Sequence, residues 1–286
     1  ASFLLPSLPG PAWAQSSPIS PTLLAQGFNP EAILNDEDLF DLGGWDAERI
    51  QRFLQSKESA LATRLLADID GVAKRPADIF WLVAGSYKIS PKYLLALVQK
   101  EQSLVETRNP TQKQFDWAAG YGVCDSCAMD DPAIQAYKGF ANQLEYAAKQ
   151  HRERYLFQIL SRGTTIGGQG PGKATVIDSL ALTPANQATA MLYSYTPHLH
   201  GNINLWLIWR RWFARPLPDG TLVVNKDAPT ERYLLRDGER RPLTPAVFLS
   251  LAGANDKAVP LSAADLAAYP EGDAIRFPNF SLVETP

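Results

Sequence analysis

Residues 89–106 are central to the interpretation of this sequence, and they read ISPKYLLALVQKEQSLVE. Ser90 is a favourable N-cap, and Pro91 then takes the first helical position, where proline is well tolerated. Apolar residues follow at three-, four- and seven-residue steps, which is the period of one helix face. Glu101 falls on that face. A carboxyl group buried in apolar surroundings usually keeps its proton near neutral pH, and this is the property that a general acid needs.

A second interpretation of Glu101 uses the same residues. A glutamate close to the end of a helix can turn to solvent or pair with a neighbouring cation, and Lys100 and Arg108 are both near in sequence. In that case the residue needs no catalytic role. The pattern by itself leaves both interpretations open.

Composition and charge limit the class of protein. The chain has 286 residues, 45% of them hydrophobic and 20% charged, which is enough for one large domain and a smaller one. The formal net charge of -3 gives no electrostatic support for nucleic-acid binding. Three histidines and two cysteines leave little material for a metal site, so we predict neither a metal nor another cofactor.

The first residues resemble the end of a secretion signal. An apolar run at residues 3–5 is followed by Ala12, Trp13 and Ala14, which have the small-x-small form of a cleavage site before Gln15. We therefore predict a secreted, extracytoplasmic protein of the cell envelope. The alternatives are an ordinary N-terminal tail and a signal that stays uncleaved in the membrane.

Helical patterns dominate the chain up to about residue 215, and the character then changes. Asp219-Gly220 and Asp237-Gly238 are turn dipeptides beside short β-prone runs. We predict a mainly α fold with four parts: a signal remnant and linker at residues 1–27, a helical segment at 28–75, a helical domain with the chemistry at 76–215, and a small α+β module at 216–286.

Cys124 and Cys127 form a short CDSC motif with three possible interpretations. In an exported protein, a disulfide across a tight loop is the simplest. A thioredoxin-like redox site would need a βαβ context, which is absent from the pattern. Zinc would need two further ligands, for which His198 and His200 are the nearby residues of the right type.

Two further segments carry side chains that suit sugar binding. Residues 116–122 read DWAAGYG and combine an acid with aromatic rings and glycines, and residues 193–197 read YSYTP and offer hydroxyl groups. Each segment alone is more often packing than a site. Ser103, two residues after Glu101, is a further candidate. The candidate substrate-binding residues are therefore Ser103, Asp116, Trp117, Tyr121, Gly122, Tyr195 and Thr196.

Together, three motifs resemble the lysozyme-like superfamily, and most closely its soluble lytic transglycosylases and goose-type lysozymes. They are QKEQSL at residues 99–104, DWAAGYGVCDSC at 116–127 and YTPH at 195–198. A set of secreted bacterial lysozyme-like proteins shares them, commonly with a small module after the helical domain. The resemblance implies a lysozyme-like fold for residues 76–215.

The resemblance also implies a function. Glu101 would be the catalytic acid, Tyr121 and Gly122 would line a cleft for peptidoglycan glycan strands, and Tyr195 would lie near the acid. The implied reaction is cleavage of the MurNAc-GlcNAc β-1,4 bond by a lytic transglycosylase. The alternatives are a hydrolytic muramidase and a scaffold that binds cell-wall glycan without cleaving it, since Gln102 stands where serine usually follows the glutamate. The C-terminal module would contact a cell-wall or surface partner.

Overall fold

The computed structural model describes residues 19–25, 27–123, 128–213 and 219–252, together with residues 217, 258–261, 266 and 269–277. The predicted secretion signal, the cysteines Cys124 and Cys127, and the predicted boundary at residues 215–216 lie outside these residues.

Helices dominate the chain up to Trp212, and local sequence signals set where several of them begin. Pro76, Pro91 and Pro132 each stand in the first turn of a helix, where the missing N–H costs nothing. A 3-10 turn lies at Ala60–Ala62 and a π-helical turn at Gln150–Leu156. The α-helices of this part are α1 (Pro21–Ala25), α2 (Asp36–Phe40), α3 (Ala47–Ser56), α4 (Pro76–Tyr87), α5 (Pro91–Gln102), α6 (Gln112–Asp116), α7 (Pro132–Gln135), α8 (Phe140–Lys149), α9 (Phe157–Arg162), α10 (Gln187–Tyr195) and α11 (Leu199–Trp212).

Helix α5 lies at the centre of the hydrophobic core. The single apolar face predicted for it is too narrow, because residues 93–98 are all fully buried and their side chains point in every direction around the axis. Helices α2, α4 and α11 pack around it. The helix reaches the surface at its ends, and Glu101 lies at the C-terminal one.

The predicted segments 28–75 and 76–215 share one core. Leu39 of α2 and Ile50 of α3 are buried in the same cluster as α5, and the Ser90 N–H donates to the Leu39 carbonyl at 2.8 Å. Helix α1 lies within the segment predicted as signal remnant and linker, residues 1–27. Ile19 and Phe28, on either side of α1, are buried in this core and hold the segment against it.

Two short hairpins interrupt the helices, and the sequence analysis missed both. Strand β1 (Leu66–Ala67) pairs with β2 (Ala73–Lys74), and β3 (Thr175–Ile177) pairs with β4 (Leu180–Leu182), each in antiparallel register. Strands of two or three residues are too short to show an alternating pattern, so periodicity cannot detect them.

The described residues of the C-terminal module include a four-stranded sheet and a helix. The strand order is β7-β6-β5-β8, in which β8 runs parallel to β5 and the other neighbours are antiparallel. Two small clusters of buried apolar side chains, separate from the main core, lie in this module. Its elements are β5 (Leu222–Asn225), β6 (Arg232–Arg236), β7 (Glu239–Pro242), α12 (Pro245–Ala252) and β8 (Val259–Leu261).

Candidate substrate groove

Glu101 lies where α5 emerges from the core. Its side chain is 25% exposed, and Oε1 lies 2.7 Å from the Lys100 ammonium nitrogen. The expectation that this carboxyl group is buried in apolar surroundings is therefore wrong, and the structure shows the second interpretation, a pair with Lys100. The helix ends one residue later, where Ser103 takes a left-handed φ of 54° as its C-cap.

Lys100 connects this carboxylate to helix α10. Its side chain is only 5% exposed, and the ammonium also donates to Thr196 Oγ1 at 2.6 Å and lies 5.8 Å from the centre of the Tyr195 ring. A buried ammonium without partners would be strongly destabilising, so these three contacts explain why Lys100 is tolerated there. They bring Glu101, Tyr195 and Thr196 together.

The loop after α6 passes directly beside Glu101. Gly120 has φ +67°, and a Cβ at this position would lie 2.9 Å from Glu101 Oε2. Gly122 has φ +73°, and a Cβ there would lie 2.4 Å from the Tyr137 ring. Both positions therefore require glycine for conformation and for space. The sequence analysis named Gly122 but not Gly120.

Gln143 on α8 holds this loop from below, and the sequence analysis missed it. The side chain is fully buried, accepts from the Tyr121 N–H at 2.9 Å, and donates to the carbonyls of Tyr121 and Tyr137 at 2.9 Å. From the other side, the Tyr195 hydroxyl donates to the Ala119 carbonyl at 2.8 Å. A glutamine within the apolar pattern of α8 was the available signal.

Tyr121 belongs to a cluster of three tyrosines. Its ring stacks on Tyr146 with 5.5 Å between centroids, and Tyr137 meets both rings edge-on at 5.1 and 4.8 Å. These contacts fix the orientation of Tyr121, which is half-buried and lines the groove described next.

A polar groove starts at the loop at residues 120–122 and runs along the π-helical turn. Its first part is a cavity of about 230 Å³, and an adjoining cavity of about 530 Å³ shares Gln150, Arg154 and Tyr155 with it. Turns of this kind occur frequently at functional sites. We call this feature, with Glu101 beside it, the Glu101 groove; its first part is lined by Gly120, Tyr121, Gly122, Val123, Gln150, Arg154, Tyr155 and Tyr195.

A buried histidine supports the groove from behind. His151 donates from Nδ1 to the Ala147 carbonyl at 2.8 Å, which leaves Nε2 to accept from the Tyr93 hydroxyl at 2.8 Å. Burial lowers the pKa of His151 to about 4, against the effect of the Ala147 hydrogen bond, so the ring is neutral at neutral pH. Its centroid lies 4.8 Å from that of Tyr195. Burial, with a further contribution from the Glu101 charge, raises the pKa of both Tyr93 and Tyr195 well above its usual range.

Four predicted substrate-binding residues do not line the groove, and one of them is Thr196, which binds Lys100. The Asp116 carboxylate faces Lys138 at 3.3 Å and accepts from Gln112 at 2.9 Å. Trp117 is 6% exposed and packs into the protein, so its ring cannot serve as a platform for a ligand. Ser103 contributes the backbone turn that ends α5. These residues shape the surroundings of the groove rather than its surface.

The described residues contain no group of three or more His, Cys, Asp or Glu side chains placed to hold a metal ion. His198, named above as a possible zinc ligand, pairs instead with Asp178 at 3.0 Å. In the same part of the chain, no helix is long and apolar enough to cross a membrane.

In the comparison with known proteins, residues 32–174 match the family model of the LasA N-terminal domain. No curated protein and no solved structure matches the chain. LasA is a staphylolytic peptidase, which degrades peptidoglycan at glycine–glycine bonds. This finding overturns the predicted cleavage of the MurNAc-GlcNAc bond by Glu101, and with it the transglycosylase and muramidase assignments. The matched residues span half of the chain, which therefore belongs to the family of the LasA N-terminal domain.

Proposed function

We propose that this chain binds the peptide part of peptidoglycan in the Glu101 groove and acts in the degradation of the cell wall at peptide bonds. The observation that carries the proposal is the position of the groove. Glu101, the loop at residues 120–122 and the π-helical turn all lie within the part of the chain that matches LasA, a family of peptidoglycan-degrading enzymes.

The chemistry of the groove suits a peptide. Glu101 Oε1 is bound by Lys100, whereas no donor among the described residues binds Oε2, which faces Gly120. This oxygen is free to accept a hydrogen bond from an amide or ammonium group, and a charged acceptor makes such a bond stronger. Further along the groove, Gln150 and the exposed Arg154 offer donors for peptide carbonyl groups.

The LasA-like proteins are secreted, which agrees with the export predicted from the first residues of this sequence. We propose the same location for this chain, because peptidoglycan lies outside the cytoplasmic membrane. The similarity of the helical domain to the lysozyme-like superfamily stays a prediction.

Sedimentation with purified peptidoglycan sacculi tests the binding. Glu101→Gln removes the charge but keeps the size, and we expect affinity to fall at least about tenfold, the lower end of what a hydrogen bond to a charged group contributes. Glu153→Gln is the matched control, since that carboxylate is exposed on the π-helical turn and, among the described residues, has Lys149 as its ion-pair partner. Equal losses for the two variants would contradict a role for the groove. Sacculi and glycan strands freed of their peptides are compared in parallel, and tight binding to the bare strands would contradict the peptide assignment.

The bond that is cleaved is identified from the products. Digested sacculi are assayed for new amino groups, which cleavage of peptide bonds releases, and for new sugar ends, which cleavage of glycosidic bonds releases. We expect new amino groups only. Release of sugar ends without amino groups would refute cleavage at peptide bonds.

A further inference from the structure

A second pocket lies between the helical part of the chain and the C-terminal module. It is a cavity of about 350 Å³ that shares no lining residue with the Glu101 groove. Helices α3 and α11 form one side, and β7 with residues 269–271 forms the other. We call it the interdomain pocket, and the lining residues used below are Trp45, Arg49, Phe53, Lys57, Trp212 and Glu239.

Most charges around this pocket are paired. Three of its cations each have a carboxylate partner, at 3.9, 3.1 and 2.7 Å respectively: Arg52 with Glu239, Arg240 with Glu271, and Arg211 with Glu106. The two other cations that line the pocket, Arg49 and Lys57, have no carboxylate within ion-pair distance among the described residues.

Arg49 is the more unusual of the two. The residue is 8% exposed, and no acceptor in the described part of the chain lies within hydrogen-bond distance of its guanidinium group, whose central carbon lies 5.1 Å from the centre of the Trp45 ring. Lys57 lies over the rings of Phe53 and Trp212, 5.4 and 5.3 Å from their centroids. Burial lowers the pKa of both cations, against the attraction of more distant carboxylates. A buried cation without a hydrogen-bonded partner is costly, and an anionic ligand would relieve that cost.

We infer that the interdomain pocket binds the terminal carboxylate of a short peptide through Arg49 and Lys57. The aromatic rings of Trp45, Phe53 and Trp212 provide an apolar wall for a side chain of such a ligand. Across the pocket, Glu239 and Glu271 offer acceptors for peptide N–H groups and disfavour a doubly charged anion such as phosphate. A volume of about 350 Å³ is near the small end of ligand pockets and suits a short ligand. This inference does not depend on the function proposed for the Glu101 groove.

Titration calorimetry on the full-length protein tests the ligand class. The probes are N-acetyl-alanyl-alanine, the same dipeptide with a C-terminal amide, and inorganic phosphate. We expect the acid to bind and the amide to bind at least about tenfold more weakly, because a charge-assisted pair is lost. Equal binding of acid and amide, binding of phosphate alone, or no binding of the acid would each overturn the inference.

Two substitutions test the residues. Lys57→Gln and Arg49→Gln should each weaken binding of the acid by at least about fivefold. Lys57 is partly exposed, so its variant is expected to fold even if the Arg49 variant does not. Arg236→Gln is the matched control, since Arg236 is exposed and lies outside the pocket. Unchanged affinity in the Lys57 variant would refute the assignment.

Discussion

The buried His151 makes stability depend on pH in a predictable direction. Burial lowers its pKa from an ordinary value of 6.5 to about 4, so the folded state binds fewer protons than the unfolded state between these values. The contribution of His151 to the free energy of unfolding is therefore fully present above about pH 6.5, and it is lost as the pH falls toward 4. The ammonium of Lys100 also disfavours protonation of this ring.

The size of the effect follows from the shift. One pKa unit corresponds to about 1.4 kcal/mol, so the contribution of His151 is about 3 kcal/mol over the whole window. About 2 kcal/mol of it should be lost between pH 7 and 4.5. Carboxylates with lowered pKa, such as Asp78 and Asp178, lose their contributions only below their ordinary value of 3.8, and so outside this range.

Urea unfolding at several pH values measures this loss, and His151→Gln isolates it. Glutamine can donate to the Ala147 carbonyl and accept from Tyr93, but it does not titrate. The variant should lose about 2 kcal/mol less than the native protein between pH 7 and 4.5. His198→Gln, which replaces an exposed histidine, controls for unspecific effects. Parallel pH profiles for the native protein and His151→Gln would refute the reasoning.

Three further substitutions address the groove. Gly120→Ala forces a side chain into a left-handed conformation against Glu101, and urea unfolding should show a loss of about 1–3 kcal/mol together with weaker binding to sacculi. Lys100→Met leaves Glu101 without its countercharge and should lower the free energy of unfolding by about 1–2 kcal/mol, less than for a fully buried pair. In a double-mutant cycle, the additional change Glu101→Gln should restore part of this loss. Gln143→Leu leaves the polar backbone groups of Tyr121 buried without partners and should cost about 3 kcal/mol by the same measurement.

Local signals in the sequence were enough to place α5 but not to describe its surroundings. Ser90 and Pro91 fix the start of the helix, and the structure has it at Pro91–Gln102. Apolar spacing could not show that the helix is buried all round, because this depends on packing by α2, α4 and α11. The environment of Glu101 likewise depends on Lys100 and its bond to Thr196, 96 residues away. Contacts at such separation leave no mark in a periodic pattern.

The same limit explains the error about function. The motifs around Glu101 and Tyr195 did identify segments that the structure brings together, but short motifs describe a scaffold more reliably than the bond that is cleaved. The pair formed by Glu101 and Lys100 places a cation beside the carboxylate that was predicted to hold a proton. Residues that hold the site together, such as Gln143 and His151, were missed. The position of Gln143 among apolar residues was a signal, but spacing alone does not show which groups a polar side chain binds.

The groove contains residues that lie outside the region matched by the LasA family model. The matched region ends at residue 174, before α10, yet Tyr195 lines the groove and Thr196 accepts the hydrogen bond from Lys100. The matched region therefore supplies the carboxylate, the glycine loop and the π-helical turn. Tyr195, at the end of α10, supplies part of the groove lining, and Thr196, the next residue, supplies the acceptor that holds Lys100. Because the Tyr195 hydroxyl on α10 also donates to the Ala119 carbonyl, the helix and the matched region stabilise one another. The folded unit that carries the site thus extends beyond the matched residues, at least to the end of α10.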